Sequence, residues 1–418
     1  MRRLIFHVDV NSAYLSWEAA RRVAAGGEDL REIPSAIGGD PEKRTGVILA
    51  KSIPAKRFGV RTGEPVSMAL RKCPKLVLAK PDFRLYTKNS KAFMDICRRF
   101  APIVEKFSID ECFLDMSGTG QLYPDPVAVA HQIKDTIREE LGFTVNVGVA
   151  ENKLLAKMAS DFEKPDRVHT LFHDEIPTKL WPLPVGALFS VGRATAQKLE
   201  NAGVHTIGAL AAMPLSGVQA LLGKKWGQQL HDFANGVDES PVSAQAEQAK
   251  GYSVSTTLAE DVTDLKTAHQ ILLELADSVT SRMRADGVRA SCVSVSIRTN
   301  TFQNRSHQKK LYEPTDITKE VYEVAKALLD ELWKPQVPLR LLGVALTQLE
   351  SEETEQLSLF PDEKKEKART LDRTLDNIRS RFGADTVKRG STYRTKLDVG
   401  KKYKAQLAPE QNEQEDSQ

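Results

Sequence analysis

The chain is poor in the residues that cross-link a fold or anchor it in a membrane. Its 418 residues include only four cysteines, Cys73, Cys97, Cys112 and Cys292, far apart and without a CxxC pair. That spacing excludes a disulfide scaffold and a thiolate zinc site, and it fits reduced, mostly buried thiols in a cytosolic protein. Long apolar runs are missing too. No stretch approaches the roughly 20 residues of a membrane span. Arg2 and Arg3 are followed by only three apolar residues before His7, too few for a secretory signal. The expectation is a soluble, cytoplasmic protein with no membrane partner. A dominant charge is also lacking, since 59 basic residues face 56 acidic ones. Net charge therefore does not declare a polyanionic partner.

Length and pattern are more informative. A chain this long can bury about two to four separate cores. Residues 4–10 read as a buried strand, and a helix beginning near Ser12 carries Leu15, Ala19 and Val23 before Gly26-Gly27 ends it. Residues 26–75, rich in Gly, Pro and basic side chains, read as a small separate lobe. Residues 89–100 are helix-like, and 103–107 and 112–116 read as strands. Asp125-Pro126 supplies an N-cap and a first-turn proline for a helix through Ile133 and Leu141, with Gly142 as its stop. Residues 144–149 alternate as a strand, and 151–161 look helical. This order is a split βαβ arrangement of the ferredoxin-like kind.

Further along, residues 183–236 are helical and glycine-punctuated. Ser190-Val191-Gly192, a helix through Leu199 and then Ala202-Gly203-Val204 look like a helix-hairpin-helix, whose amides hold a backbone phosphate of DNA. Residues 237–250 read as a linker. A second α/β unit follows over 251–349, with strands at 253–257, 292–298 and 341–346 and helices at 264–285 and 315–333. Local charge appears here: Ser281 to Lys310 holds seven basic residues, among them Arg282, Arg284, Arg289, Arg298 and Arg305, against the single acid Asp286. After Glu350 the chain is polar, with fourteen basic and fourteen acidic residues, the composition of a flexible tail.

Two apolar stretches carry acids. Leu4-Ile5-Phe6-His7-Val8-Asp9-Val10 has one near its end, and Phe107-Ser108-Ile109-Asp110-Glu111-Cys112-Phe113-Leu114-Asp115 has two adjacent ones at its centre. An unpaired carboxylate is costly to desolvate, and a divalent metal is the usual partner that makes it tolerable. Asp9, Asp110 and Glu111 therefore read as carboxylates collected at one sheet edge to hold hard cations. A two-metal centre of this kind activates a hydroxyl and stabilises a leaving pyrophosphate. Neighbours in a regular strand point to opposite faces, so Asp110 and Glu111 demand an irregularity between the two strands.

The segments His7–Tyr14, Pro54–Val60, Ser108–Asp115 and Leu155–Asp161, the last followed by Lys164-Pro165, closely resemble the Y-family DNA polymerases, and in particular their DNA polymerase IV branch. The resemblance runs over about residues 1–350 in the family's order. It implies a palm at 1–25 and 76–168, fingers at 26–75, a helix-hairpin-helix thumb at 169–236, and the linker at 237–250. A little finger at 251–349 and a tail at 350–418 complete the expected α/β (α+β) multidomain fold. The activity implied is template-directed addition of dNTPs to a primer 3′-hydroxyl, with low fidelity and past damaged bases. Asp9, Asp110, Glu111 and the backbone carbonyl of Val10 would hold two Mg²⁺ ions, with Mn²⁺ as a substitute. Tyr14 matches the steric gate against ribonucleotides, and Lys56, Tyr86 and Lys157 match dNTP contacts. Gly192 and the arginines of the basic stretch (Arg282, Arg284, Arg289, Arg298 and Arg305) would meet DNA phosphates.

The chain also departs from its relatives. Ile53 and Lys56 stand where many carry Tyr and Arg, and Leu49 and Lys51 stand where small residues often roof the nascent base pair. Asn11 replaces a common Asp, Ala13 a common aromatic, and Phe189-Ser190-Val191-Gly192 the usual Pro-Gly-Val-Gly. In the tail, Gln356-Leu357-Ser358-Leu359-Phe360 is similar to the bacterial sliding-clamp-binding pentapeptide, so Gln356, Leu357, Leu359 and Phe360 are expected to meet a clamp. Leu371, Leu375, Ile378 and Phe382 repeat at helical spacing beyond it, as a short helix that docks on the body or on a partner. The expected assembly is a monomer bound to primer-template DNA. Two rival readings are a palm-fold two-metal nucleotidyl cyclase and a catalytically silent DNA-binding accessory.

Overall fold

The computed structural model describes residues 3–40, 46–245, 248–351, 363–383, 386–387 and 390. Residues 356–360, with the expected clamp contacts, lie outside the described residues. The chain divides into two compact units, one of Met1–Gly39 with Val47–Ala246, the other of Glu247–Gln418 with the short segment Asp40–Gly46.

In the first unit β1 (Ile5–Val10) leads through α1 (Ala13–Ala24) into a lobe of β2 (Ser35–Gly38), β3 (Ile48–Lys51), α2 (Ile53–Arg57), α3 (Val66–Lys72) and β4 (Val77–Ala79). The chain returns through α4 (Phe83–Arg98), β5 (Ile103–Lys106), β6 (Glu111–Asp115), α5 (Pro126–Leu141), β7 (Val145–Ala150), α6 (Lys153–Ser160) and β8 (Val168–Leu171). The main sheet has the order β5-β6-β1-β7-β8. Its first four strands follow the ferredoxin-like order, and β8 extends the edge parallel to β7. The sequence pattern gave no warning of β8.

Local chemistry explains the helix boundaries. Asp125 accepts from the Val127 and Ala128 amides, Pro126 fills the first turn, and Gly142 closes α5 at φ 72°. Asp82 caps α4 through the Arg84 and Leu85 amides, so that helix begins earlier than its apolar spacing suggested. At Gly148 on β7, a Cβ would stand 2.0 Å from the Ala156 carbonyl oxygen and 2.6 Å from the Ser160 nitrogen. Only glycine lets α6 lie this close to the sheet.

The rest of the unit is the helical segment α7 (Arg193–Asn201), α8 (Ile207–Ala212), α9 (Leu215–Leu222) and α10 (Lys224–Ala234). Gly192 is the exposed N-cap of α7, and a Cβ there would meet nothing within 4 Å. Ser190, standing where relatives carry glycine, takes φ 72°. The turn therefore keeps its left-handed residue at a steric cost that glycine would not bear.

The second unit is the four-stranded sheet β11-β10-β12-β9, built from β9 (Gly251–Val262), β10 (Val288–Thr299), β11 (Asn304–Thr315) and β12 (Leu339–Ser351). The helices α11 (Leu265–Ala285) and α12 (Thr318–Leu332) cover the face that carries Val254, Val293, Val295, Ile297, Leu342 and Val344. The strand β11 begins inside the basic stretch and runs past its end, over residues to which the sequence pattern had given no element. Hairpin alternation scatters the expected DNA contacts. Val293, Val295 and Ile297 face the helices, so Arg298 faces away, while Arg305 shares the side of its register partner Ile297. Arg289 is nearly buried opposite Glu350.

Arg284 is removed from the surface altogether. Its side chain is 4% exposed, its Nε bonds Asp376 at 2.7 Å and its Nη1 bonds the Asp316 carbonyl at 2.6 Å. These partners show that part of the expected flexible tail is a helix, α13 (Glu363–Phe382), packed on α11 and α12. Its polar face makes the contact. Asp372 accepts from the Thr318 amide at 2.8 Å, and Arg379 pairs Asp277 at 2.8 Å. Ile317, the N-cap residue of α12, gives no side-chain cap, so the Asp372 carboxylate serves that helix end from another segment. Leu371 and Phe382, from the apolar repeat expected to dock, are 54% and 71% exposed. Leu375 and Ile378 of the same repeat are partly buried, and the enclosed Arg284 guanidinium fixes the acids of α13 toward the body.

The close approach at Gly148 is testable. Gly148→Ala forces backbone against backbone and is expected to cost about 3 kcal/mol or more. Urea unfolding measures it, and wild-type stability would show that α6 does not depend on this contact.

Candidate active site

Three secondary-structure elements meet at the acids. On β1, His7 and Asp9 are two residues apart and share a face, as do their register partners Phe113 and Glu111 on β6. Asp110 lies outside the strand. The Phe107 and Ser108 amides both bond the Glu111 carbonyl at 3.1 Å, tightening the β5–β6 hairpin so that Asp110 sits in its irregular end. The expected irregularity is present. The Val10 amide bonds the Asp110 carbonyl at 3.0 Å, which ties the hairpin to β1.

The carboxylates are not bare. Lys157 of α6 reaches Glu111 at 2.8 Å and Asp9 at 3.5 Å, and Lys164 reaches Asp9 at 2.8 Å. His7 Nε2 lies 3.0 Å from Glu111 Oε2, and Asp110 accepts from Ser108 Oγ at 2.6 Å. Among the described residues no three acidic, His or Cys side chains close on one point as a ligand cluster. Asp9 and Glu111 form a facing pair, with Asp110 beside it. Like charges repel at short range, and each acid has found its own donor.

The surroundings split the two facing acids. Burial pushes the Asp9 carboxyl up, and Lys164 and Lys157 only partly offset it. Burial would raise Glu111 too, but hydrogen bonds from His7 and Lys157 outweigh it and hold that group at about 2. His7, fully buried, is pushed down by desolvation. Lys157 is held up by Glu111 and Asp9 against its own burial. The donors available (the three carboxylates and the Val10 carbonyl) are hard oxygens of the type that binds Mg²⁺, and the two ammonium groups show that this corner attracts cations. The residues fit a divalent metal.

Tyr14 on α1 is half-buried with its ring stacked on Tyr86 at 4.6 Å. Trp17 and Phe83 flank it edge-on at 5.9 and 6.5 Å. Tyr86 was expected to touch the nucleotide, but it is fully buried on the inner face of α4. Its hydroxyl has no hydrogen-bond partner among the described residues, and burial pushes it to about 12. It backs Tyr14. Lys56 is exposed on α2, near enough to Lys51 to lower that group's pKa further after burial. Asn11 is a buried connector: it donates to Asn146 at 3.1 Å and accepts from the Asp166 amide at 2.9 Å. His7, Ser108, Ser160 and Lys164 were not singled out from the sequence. The signal for His7 was its place two residues before Asp9, and for Lys164 its adjacency to Pro165 in a recognised segment.

Residues 8–161 match the model of the impB/mucB/samB family and residues 249–359 that of its C-terminal domain. Residues 186–238 match a thumb domain described as DNA polymerase-iota. The chain belongs to the impB/mucB/samB family of Y-family DNA polymerases. It is 43% identical to DNA polymerase IV of Clostridium acetobutylicum over 93% of this chain and 98% of that one. It is 37% identical to DNA polymerase IV 2 of Bacillus subtilis, over 96% of this chain and 99% of that one. A solved Y-family DNA polymerase chimera, Dbh-Dpo4(243-245)-Dbh, shares the fold at TM-score 0.74 and 22% identity, covering 84% of this chain and 100% of that chain. Among the described residues no helix is long and apolar enough to cross a membrane.

The depressed Glu111 pKa has a consequence for stability. Its contribution is fully present above the ordinary value of 4.5 and is lost as pH falls toward about 2. Glu111→Gln should flatten this acid limb in urea unfolding compared across that range. An unchanged acid slope would mean that the His7 and Lys157 bonds add no stability.

Proposed function

We propose that this protein is a translesion DNA polymerase that adds dNTPs to a primer 3′-hydroxyl at Asp9, Asp110 and Glu111. The observation that carries the reading is the Asp9–Glu111 pair across β1 and β6, with Asp110 at the hairpin end and two lysines turned toward it. Asp9, Asp110, Glu111 and the Val10 carbonyl would hold the metals, Mg²⁺ first and Mn²⁺ as a substitute. When bound there, such ions lower the barrier to hydroxyl attack on the α-phosphate and offset charge on the leaving pyrophosphate.

The remaining work falls to the chain. Lys157 and Lys164 are long cations able to turn from carboxylate to triphosphate, where ammonium groups offset the charge of the phosphates. Lys56 adds charge from the fingers lobe. Tyr14, fixed by Trp17, Phe83 and Tyr86, presents a rigid ring to the sugar and excludes a 2′-hydroxyl. On the second unit, the open sheet face presents Ser253, Ser255, Ser294 and Ser296 with Arg298 at one end. Small hydroxyl side chains let a phosphate backbone lie close, and the grip is salt-dependent and sequence-blind. Gly192, at the open N-terminus of α7, offers an amide to another phosphate. Residues 356–360 would bind the sliding clamp. The enzyme acts in the cytoplasm as a monomer on primer-template DNA.

Primer extension on damaged and undamaged templates tests this. Asp110→Ala should lower incorporation by about 100–1,000-fold, given the size of the electrostatic terms at such centres. Equal extension by variant and wild type would remove Asp110 from the reaction. Under the same conditions Tyr14→Ala should accept ribonucleotides far more readily, and unchanged sugar selectivity would remove Tyr14 from the gate.

A further inference from the structure

We propose that His7 is a positioning residue for Glu111. Its ring ties one oxygen of that carboxylate to the end of α6 and so aims the other at the reacting centre. The inference rests on the reading of Glu111 as a cation ligand.

His7 is fully buried, and both of its ring nitrogens are engaged. Nε2 lies 3.0 Å from Glu111 Oε2, and Nδ1 lies 2.8 Å from Ser160 Oγ. A carboxylate only accepts, so Nε2 carries a hydrogen toward Glu111. Ser160 Oγ lies 2.8 Å from both Nδ1 and the Lys157 carbonyl oxygen, so it ties the ring to the last turn of α6 whichever of the two takes its one proton. Ser160 closes α6, the helix that also sends Lys157 to the same Glu111 oxygen at 2.8 Å. Glu111, His7 and α6 thus form a closed ring of contacts. Its backing is rigid: Phe113 packs against the imidazole at 4.6 Å, and Gly148 lets α6 lie directly on the strand opposite His7. Oε2 takes both donors and Oε1 takes neither, so one oxygen is an anchor and the other is presented. A buried histidine needs only some partner for each nitrogen. This one joins a candidate ligand to the helix that carries the triphosphate lysine, which is how partners behind a ligand set its orientation.

The test uses the full-length chain with primer-template and dNTP. Two quantities are read: the Mg²⁺ concentration that half-saturates single-nucleotide incorporation, and calorimetric binding of Ca²⁺. His7→Phe should weaken both by about 10–100-fold, the usual effect of removing such a partner. His7→Gln, whose amide N–H falls near the position of Nε2, should recover most of the loss. Ser160→Ala should shift both in the same direction by less. Wild-type Ca²⁺ affinity in His7→Phe overturns the proposal, as does a His7→Gln variant no better than His7→Phe. Should His7→Phe fail to fold, Ser160→Ala decides: weakened Ca²⁺ binding supports the proposal and unchanged binding overturns it. Glu111→Ala separates the two layers. If it binds Ca²⁺ like wild type, the ligand reading itself fails. If it loses binding while His7→Phe does not, only the positioning role fails.

Discussion

A carboxylate set among apolar strands has to be neutralised, and the catalytic half of this molecule is organised around that demand. Asp9 and Glu111 face one another across β1 and β6, in a sheet whose core is largely apolar. Desolvation penalises both charges. Lys157, Lys164 and His7 supply the opposing charge and hydrogen bonds, and they do so unequally, so that one acid is pushed up and the other is held down. Each donor depends on a structural feature some distance away. Lys157 needs α6 against the sheet, α6 needs the missing side chain of Gly148, and Lys164 needs the turn after α6.

The second unit obeys the same rule. Asp316 and the Arg284 side chain are almost wholly enclosed, and α13 is held against them by its own acids and arginines. Ion pairs of this kind are weak evidence for net stability, because desolvation offsets much of the attraction, but losing one partner leaves an expensive charge behind. The pairs therefore specify which face of α13 docks. They explain why Leu371 and Phe382 stay exposed although their spacing suggested burial.

Much of this was legible in the sequence where local chemistry decides. The Asp125-Pro126 start and Gly142 stop of α5, the strand at Ile5–Val10 and the break between Asp110 and Glu111 all follow from side-chain type and spacing. The acids stood out because charge in an apolar run is costly. What escaped notice depends on contacts distant in sequence. Tyr86 reads as a polar aromatic on a helix, and only the packing of α4 on α1 puts it behind Tyr14. Arg284 reads as one of several surface cations until α13, whose Asp376 lies 92 positions later, covers it. The strand β8 is short and unpatterned, and it is held by parallel pairing to β7. His7 passed as an ordinary strand residue because its partners, Glu111 and Ser160, are 104 and 153 positions away.

The central claim is that the corner formed by Asp9, Asp110 and Glu111 is a divalent-cation site in which Lys157 and Lys164 balance the charge. The most direct test is anomalous diffraction at the manganese edge from crystals of the protein with primer-template, Mn²⁺ and a non-hydrolysable dNTP. The account predicts manganese peaks bounded by these three carboxylates, with both lysines turned toward the triphosphate. No peak at these acids, with Lys157 still on Glu111 and Lys164 still on Asp9 beside a bound nucleotide, would contradict it.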